Sequence, residues 1–128
     1  MRAIDTNIIV RYLTGDHPQQ AAKARAVIEG GDVLVGTTVL LESEWVLRSV
    51  YGFSGSEVAV ALRALAGLPN VSVESPAMLA EALDRAENGM DFADALHLGG
   101  AARCEAMLTF DRRFIELAAD APVPVLEP

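Results

Sequence analysis

The sequence predicts an α/β fold: a short central parallel sheet flanked by helices in an α/β/α arrangement. Three observations predict it. Short apolar runs such as Val33-Leu34-Val35 and Val71-Ser72-Val73 alternate with longer segments bounded by helix start and stop residues. Strands separated by helices form βαβ units, which run parallel and are covered on both faces. Hydrophobic residues make up 52 % of the chain, enough for a core without disulfides. The 128 residues fit a single domain, 1–128, with no internal repeat, low-complexity tract or linker.

The elements follow in order. Residues 2–4 read as a strand. Thr6 to Leu13 reads as a helix stopped at Thr14-Gly15, and Pro18 opens a second one that ends at Gly30-Gly31. Val33 to Val35 is a buried strand. Thr37 and Thr38 are N-cap candidates for a helix from about Val39 to Val50, closed by Gly52. Ser54 or Ser56 caps the next helix, to about Ala66, and Val71 to Val73 is a strand. Pro76 stands in the first turn of a helix reaching Asn88-Gly89. Asp91 caps another, to about Cys104. Ala106 to Phe110 is a strand, Asp111 starts a short helix, and Val123-Pro124-Val125 is an edge strand, where proline is tolerated.

Composition excludes several classes. No apolar run has the length of a signal peptide or the ~18 residues of a membrane span, which makes a cytoplasmic protein the expectation. The lone Cys104 cannot form an internal disulfide; after Gly100-Ala101-Ala102 it reads as a small buried apolar residue rather than a nucleophile. Formal net charge is -8 and lysine occurs once, at Lys23. Broad nonspecific nucleic-acid binding is therefore unexpected, although bound Mg²⁺ reverses the local sign of a carboxylate site.

The carboxylates are the informative residues. Asp5 and Asp111 each directly follow a strand, at the carboxyl ends where open α/β sheets build their sites. Each also suits a helix N-cap. Glu44 has Arg48 four residues on, which gives it an ordinary solvated ion pair. Glu42 has Val39, Trp45 and Val46 as same-face neighbours and no basic partner, so it reads as a carboxylate on an apolar stripe that wants a metal, a donor or a wet cleft. Asp91 and Asp94 share one helix face. Capping accounts for Asp91, whereas Asp94 lies a turn inside an apolar run, with only His97 to pair with locally. His97 reads as a helix-face residue and His17 as a solvated loop residue. Oxygen ligands of this kind suit Mg²⁺ or Mn²⁺, and the chain lacks the Cys/His spacing of a zinc site. An acidic cluster without an obvious catalytic base suits metal-assisted phosphodiester hydrolysis.

Four segments together resemble the PIN-domain nucleases: Ile4-Asp5-Thr6-Asn7, Leu41-Glu42-Ser43-Glu44-Trp45-Val46-Leu47, Asp91-Phe92-Ala93-Asp94-Ala95-Leu96 and Leu108-Thr109-Phe110-Asp111. Their order and spacing are most similar to the VapC toxins of bacterial toxin–antitoxin pairs. The resemblance implies that Asp5, Glu42, Asp94 and Asp111 are the catalytic, metal-ligating quartet for Mg²⁺ or Mn²⁺, with Asp91 an additional ligand or neighbour. It implies that Thr6, Asn7 and Thr109 orient those carboxylates or water. It further implies endoribonuclease activity by metal-activated water, a homodimer, and a VapB-type antitoxin that covers the active-site groove. Arg11, Arg112 and Arg113 lie closest in sequence to the quartet and are the candidate RNA contacts. Gly99-Gly100 interrupts the helix of Asp94, which points to close packing or local flexibility.

Other readings meet obstacles. A receiver-like domain needs a late lysine, and Lys23 is early. A hydrolase with a phosphorylated aspartate wants a second aspartate where Asn7 stands. A non-catalytic PIN-like module, whose acidic pocket holds a partner's arginine, is the remaining alternative.

Overall fold

The computed structural model describes residues 1–128. Its elements are β1 (Arg2–Ala3), α1 (Thr6–Thr14), α2 (Pro18–Glu29), β2 (Val33–Val35), α3 (Thr37–Ser49), α4 (Gly55–Ala66), β3 (Val71–Val73), α5 (Pro76–Glu87), α6 (Phe92–Gly100), β4 (Met107–Leu108), α7 (Arg112–Leu117) and β5 (Val125–Leu126). The α/β class and the parallel pairing are as the sequence predicts. The strands fall into two parallel sheets, β1-β2-β3 and β4-β5. The chain divides into two compact units, Met1–Pro76 and Ala77–Pro128.

In the first unit, β2 lies between β1 and β3, with Val33 opposite both Arg2 and Val71. Val33 and Val35 are fully buried, as a central strand covered on both faces requires. Helix α1 packs on α2 and α3, α3 on α4, and α4 on β3. The signals that start and stop these helices act locally. Gly15 ends α1 in the left-handed conformation at φ 66°, which glycine adopts without strain. Pro18 opens α2 behind the N-cap His17, whose Nδ1 accepts from Gln20 N at 3.3 Å; this histidine is a cap, exposed as expected. Ser54 and Glu57 form a reciprocal capping box on α4.

The start of α3 differs from expectation. Thr37 and Thr38 are not its caps: Gly36 is the N-cap residue and has no side chain to cap with. Glu74, just after β3, accepts from Thr37 N at 2.9 Å and satisfies one of the free amides instead. A residue 37 positions away is invisible to any local capping pattern.

In the second unit, α5, α6 and α7 accompany the β4-β5 sheet. Helix α6 ends at Gly100, not near Cys104; the chain then turns, with Cys104 N bonded to Ala101 O, and Cys104 is exposed rather than buried. Gly99 explains part of that helix. A Cβ built there would lie 2.5 Å from Met78 Cγ, so close approach to α5 requires glycine. The predicted strand 106–110 shortens to Met107–Leu108, leaving Phe110 exposed at 77 %. The reason is that Asp111 N donates to Thr109 Oγ1 at 3.0 Å, which turns the chain out of the strand before α7. The C-terminal edge strand is Val125–Leu126, one residue beyond Pro124.

Candidate active site

The predicted quartet is divided between the units. Asp5 and Glu42 belong to the first, and Asp94 and Asp111, with Asp91, to the second.

In the first unit, Asp5 leaves β1 and is the N-cap of α1, its carboxylate accepting from Thr6 N at 2.7 Å. The capping role and the position at a strand exit thus coexist in one residue. Thr6 is buried, and its hydroxyl donates to Glu42 Oε1. That bond ties the first turn of α1 to α3 and fixes one oxygen of Glu42. Asn7 is exposed. These residues line a cleft of about 350 Å³ with Val10, Arg11, Val46, Val50 and Tyr51.

Glu42 itself requires a correction. It is exposed, not seated on a buried apolar stripe, and its neighbour Trp45 is 55 % exposed. The buried face of α3 is Leu40, Ser43, Glu44 and Leu47, the i, i+3, i+4, i+7 set one step along. Glu44, expected in solvent, is the buried acid. Arg48 pairs with it as expected, Nε to Oε2 at 2.5 Å and Nη2 to Oε1 at 3.1 Å, a two-point contact that lets a carboxylate be buried. Ser43 is fully buried, and its hydroxyl is the one buried side-chain polar atom without a hydrogen-bond partner.

Arg11 is part of a network at the same cleft. Its Nη1 reaches Asp16 Oδ1 at 3.2 Å and Tyr51 Oη at 3.0 Å, and its Nε reaches Gln20 at 2.8 Å. Tyr51 and the Oγ1 of Thr14 donate to Asp16, at 2.5 and 2.9 Å. The Tyr51 bond above all, then those of Thr14 and the charge of Arg11, hold the Asp16 carboxyl below the usual aspartate range. Neither Tyr51 nor Asp16 is visible as a site residue in the sequence, because the contacts span 40 and 35 positions.

In the second unit, Asp91 caps α6, accepting from Asp94 N at 3.1 Å, and Asp111 caps α7, accepting from Phe114 N at 3.1 Å. Thr109 sits beside Asp111 through the bond that ends β4. Asp94 is half-buried, one turn into α6. Its carboxyl is pushed above the ordinary aspartate value, first by burial and then by the negative charges of Asp91 and Asp111, with His97 offsetting part of this. His97 is an exposed helix-face residue, as predicted. Arg112 and Arg113 lie exposed in the first turn of α7.

The donors are all carboxylate oxygens, the ligands of hard divalent cations. Like-charge crowding at Asp94 is what such a cation relieves. No three His, Cys, Asp or Glu side chains are gathered as a ready-made metal site. The residues fit Mg²⁺ or Mn²⁺ by chemistry.

Comparison with curated proteins finds no match. Residues 3–120, which include every residue of both carboxylate groups, match the PIN-domain family model. The family's members are in general nucleases, often binding divalent metals. With the α/β architecture, the parallel strands and the carboxylates at strand exits, that match makes the chain a member of the PIN-domain family, with a nuclease-type fold.

Proposed function

We propose that the chain is an Mg²⁺- or Mn²⁺-dependent endoribonuclease, the VapC-like toxin of a toxin–antitoxin pair, and that both units serve one domain spanning residues 1–128. The observation that carries this reading is the PIN-domain match over residues 3–120, which takes in all the candidate carboxylates. The half-burial of Asp94 near the charges of Asp91 and Asp111 supports it, since a cation relieves both.

Asp5, Glu42, Asp94 and Asp111 would hold the metal, with Asp91 available as a further oxygen donor. A bound divalent ion supplies an acidified water and charge stabilisation at the phosphate. The chain's own residues do the rest. Thr6 fixes Glu42, and Thr109 fixes the turn that carries Asp111. Asn7 orients water or carboxylate at the mouth of the cleft. Arg11, Arg112 and Arg113 contact RNA phosphates, which an acidic protein needs at the site itself. The same reading makes a VapB-type antitoxin its partner, a homodimer its assembly and the cytoplasm its compartment. No helix is long and apolar enough to cross a membrane.

The alternative is a non-catalytic PIN-like module whose acidic pocket holds a partner's arginine, and the lack of a ready-made three-ligand group suits it. One experiment separates the two. RNA is incubated with the protein and Mn²⁺ or Mg²⁺, with and without chelator, beside Asp5→Asn. Cleavage abolished by chelator and by the substitution supports the nuclease. Cleavage indifferent to both overturns it, and RNA left intact by the wild-type chain favours the binding module.

A further inference from the structure

The cleft of the first unit combines three chemistries in about 350 Å³, a volume within the range of small-ligand sites. Asp5 and Glu42 form its anionic part. Arg11 is the one basic residue on its wall, and Val46, Val50 and Tyr51 form an apolar and aromatic side. A nucleotide carries the matching set: a phosphate, and a base with a π face.

Arg11 is held before any ligand arrives. Gln20, Asp16 and Tyr51 engage its Nε and Nη1, while Nη2 donates to nothing within the protein. Tyr51 is held as well. Its hydroxyl donates to Asp16 at 2.5 Å, and its ring stacks on Phe53 at 6.4 Å and 11°. Asp16 stays ionised near neutral pH, so the brace persists under working conditions. Arginine and tyrosine fixed in this way lose little further freedom on binding, which is the main cost of recruiting long side chains. Arginine suits phosphate through its planar fork of donors, and an aromatic ring suits an unpaired base.

We propose that Arg11 and Tyr51 form a nucleotide subsite beside Asp5 and Glu42, in which Arg11 Nη2 takes a phosphate of single-stranded RNA and the Tyr51 ring stacks on a base. The inference rests on the ribonuclease reading and adds to it the two residues that seat one phosphate and one base. An unpaired base exposes the face that the Tyr51 ring needs.

The test is direct binding, read apart from cleavage. A fluorescein-labelled single-stranded RNA of mixed sequence is titrated by anisotropy against the full chain carrying Asp94→Asn, which keeps the probe intact. Arg11→Gln is expected to weaken binding and to lower the slope of log K against log salt by about 0.7, the loss of one phosphate contact on a single strand. Tyr51→Ala is expected to weaken binding roughly 5- to 150-fold, the range for removing a ring stacked on a base, with the salt slope unchanged. Tyr51→Trp keeps a stacking surface and should retain most of the affinity; this also guards against a misfolded Tyr51→Ala. An unchanged salt slope in Arg11→Gln overturns the subsite, as does wild-type affinity in Tyr51→Ala or equal weakening by Tyr51→Ala and Tyr51→Trp. If either result accompanies metal-dependent cleavage by the wild-type chain, the ribonuclease reading stands and the subsite alone fails. A chain that neither binds nor cleaves the RNA overturns both.

Discussion

Replacing Thr6 with valine removes one hydroxyl from the first turn of α1 and preserves the shape of the side chain. That hydroxyl donates to Glu42 Oε1, and Thr6 is 8 % exposed. Two consequences follow, of different size. Glu42 is exposed, so water replaces the lost donor and the stability cost stays near that of an ordinary hydrogen bond, about 0.5–1.5 kcal/mol. For a chain of this size that lowers Tm by roughly 2–8 °C. The catalytic cost is larger relative to its cause. An oxygen released from its orienting partner samples other rotamers, and loss of such a partner typically reduces metal affinity or activity about 10- to 100-fold. That equals about 1.4–2.7 kcal/mol of transition-state stabilisation. The assay is kcat/KM for RNA cleavage in Mn²⁺, with Tm measured on the same preparations. Thr6→Ser restores the hydroxyl and should restore activity, even with some loss of packing. Wild-type kcat/KM in Thr6→Val would refute the claim that Thr6 positions Glu42 for reaction. Thr6→Ser as impaired as Thr6→Val would show that packing, not the hydroxyl, matters.

The other predictions concern α3 and Asp94. Glu44→Ala should destabilise the fold by about 2 kcal/mol in denaturant melts, because it removes a buried two-point pair with Arg48; Glu42→Ala should cost under about 1 kcal/mol in stability while abolishing cleavage, and equal costs would reject the assignment of buried and exposed faces. Ser43→Ala should leave the fold unchanged or stabilise it by up to about 1 kcal/mol, since it removes a buried hydroxyl that has no partner; a clear loss of stability would mean that the hydroxyl does bond in solution. Asp94 binds its proton more tightly folded than unfolded, so its ionisation destabilises the metal-free fold. The penalty is absent below the unfolded value near 3.8 and grows as pH rises through the higher folded one. Asp94→Asn should therefore raise the metal-free Tm at pH 7, have little effect on it well below pH 3.8, and lack the rise in Tm with Mn²⁺ that the proposed site predicts for the wild type by mass action. A gain in Tm equal at both pH values would rule out charge as the cause.

The placement of three of the candidate acids is legible in the sequence because its signals are local. Asp5, Asp91 and Asp111 each accept from an amide within three residues, so residue type and position relative to the next helix suffice to place them. The crowding of Asp94 follows in part from the same helix geometry, since Asp91 lies three residues away. The order of short apolar runs and helices likewise foretells the parallel pairing. Less of the second unit is legible. No local pattern shows that Thr109 turns the chain out of its strand, and Gly99 signals a close approach without naming Met78 as the neighbour.

Helix α3 marks the boundary between the two kinds of information. Its sequence offers two helical faces, Val39-Glu42-Trp45-Val46 and Leu40-Ser43-Glu44-Leu47, and the first is the more apolar on paper. Residue type alone favours burying Trp45 and exposing Glu44. The fold does the reverse, because burial depends on what each face meets. Arg48 satisfies Glu44, and Thr6, brought from 36 residues away, holds Glu42 at the cleft. The sequence alone determined that Asp5, Asp91 and Asp111 stand at the starts of the helices that follow them. Only the tertiary structure decided which face of α3 points inward, because that choice is made by partners distant in sequence.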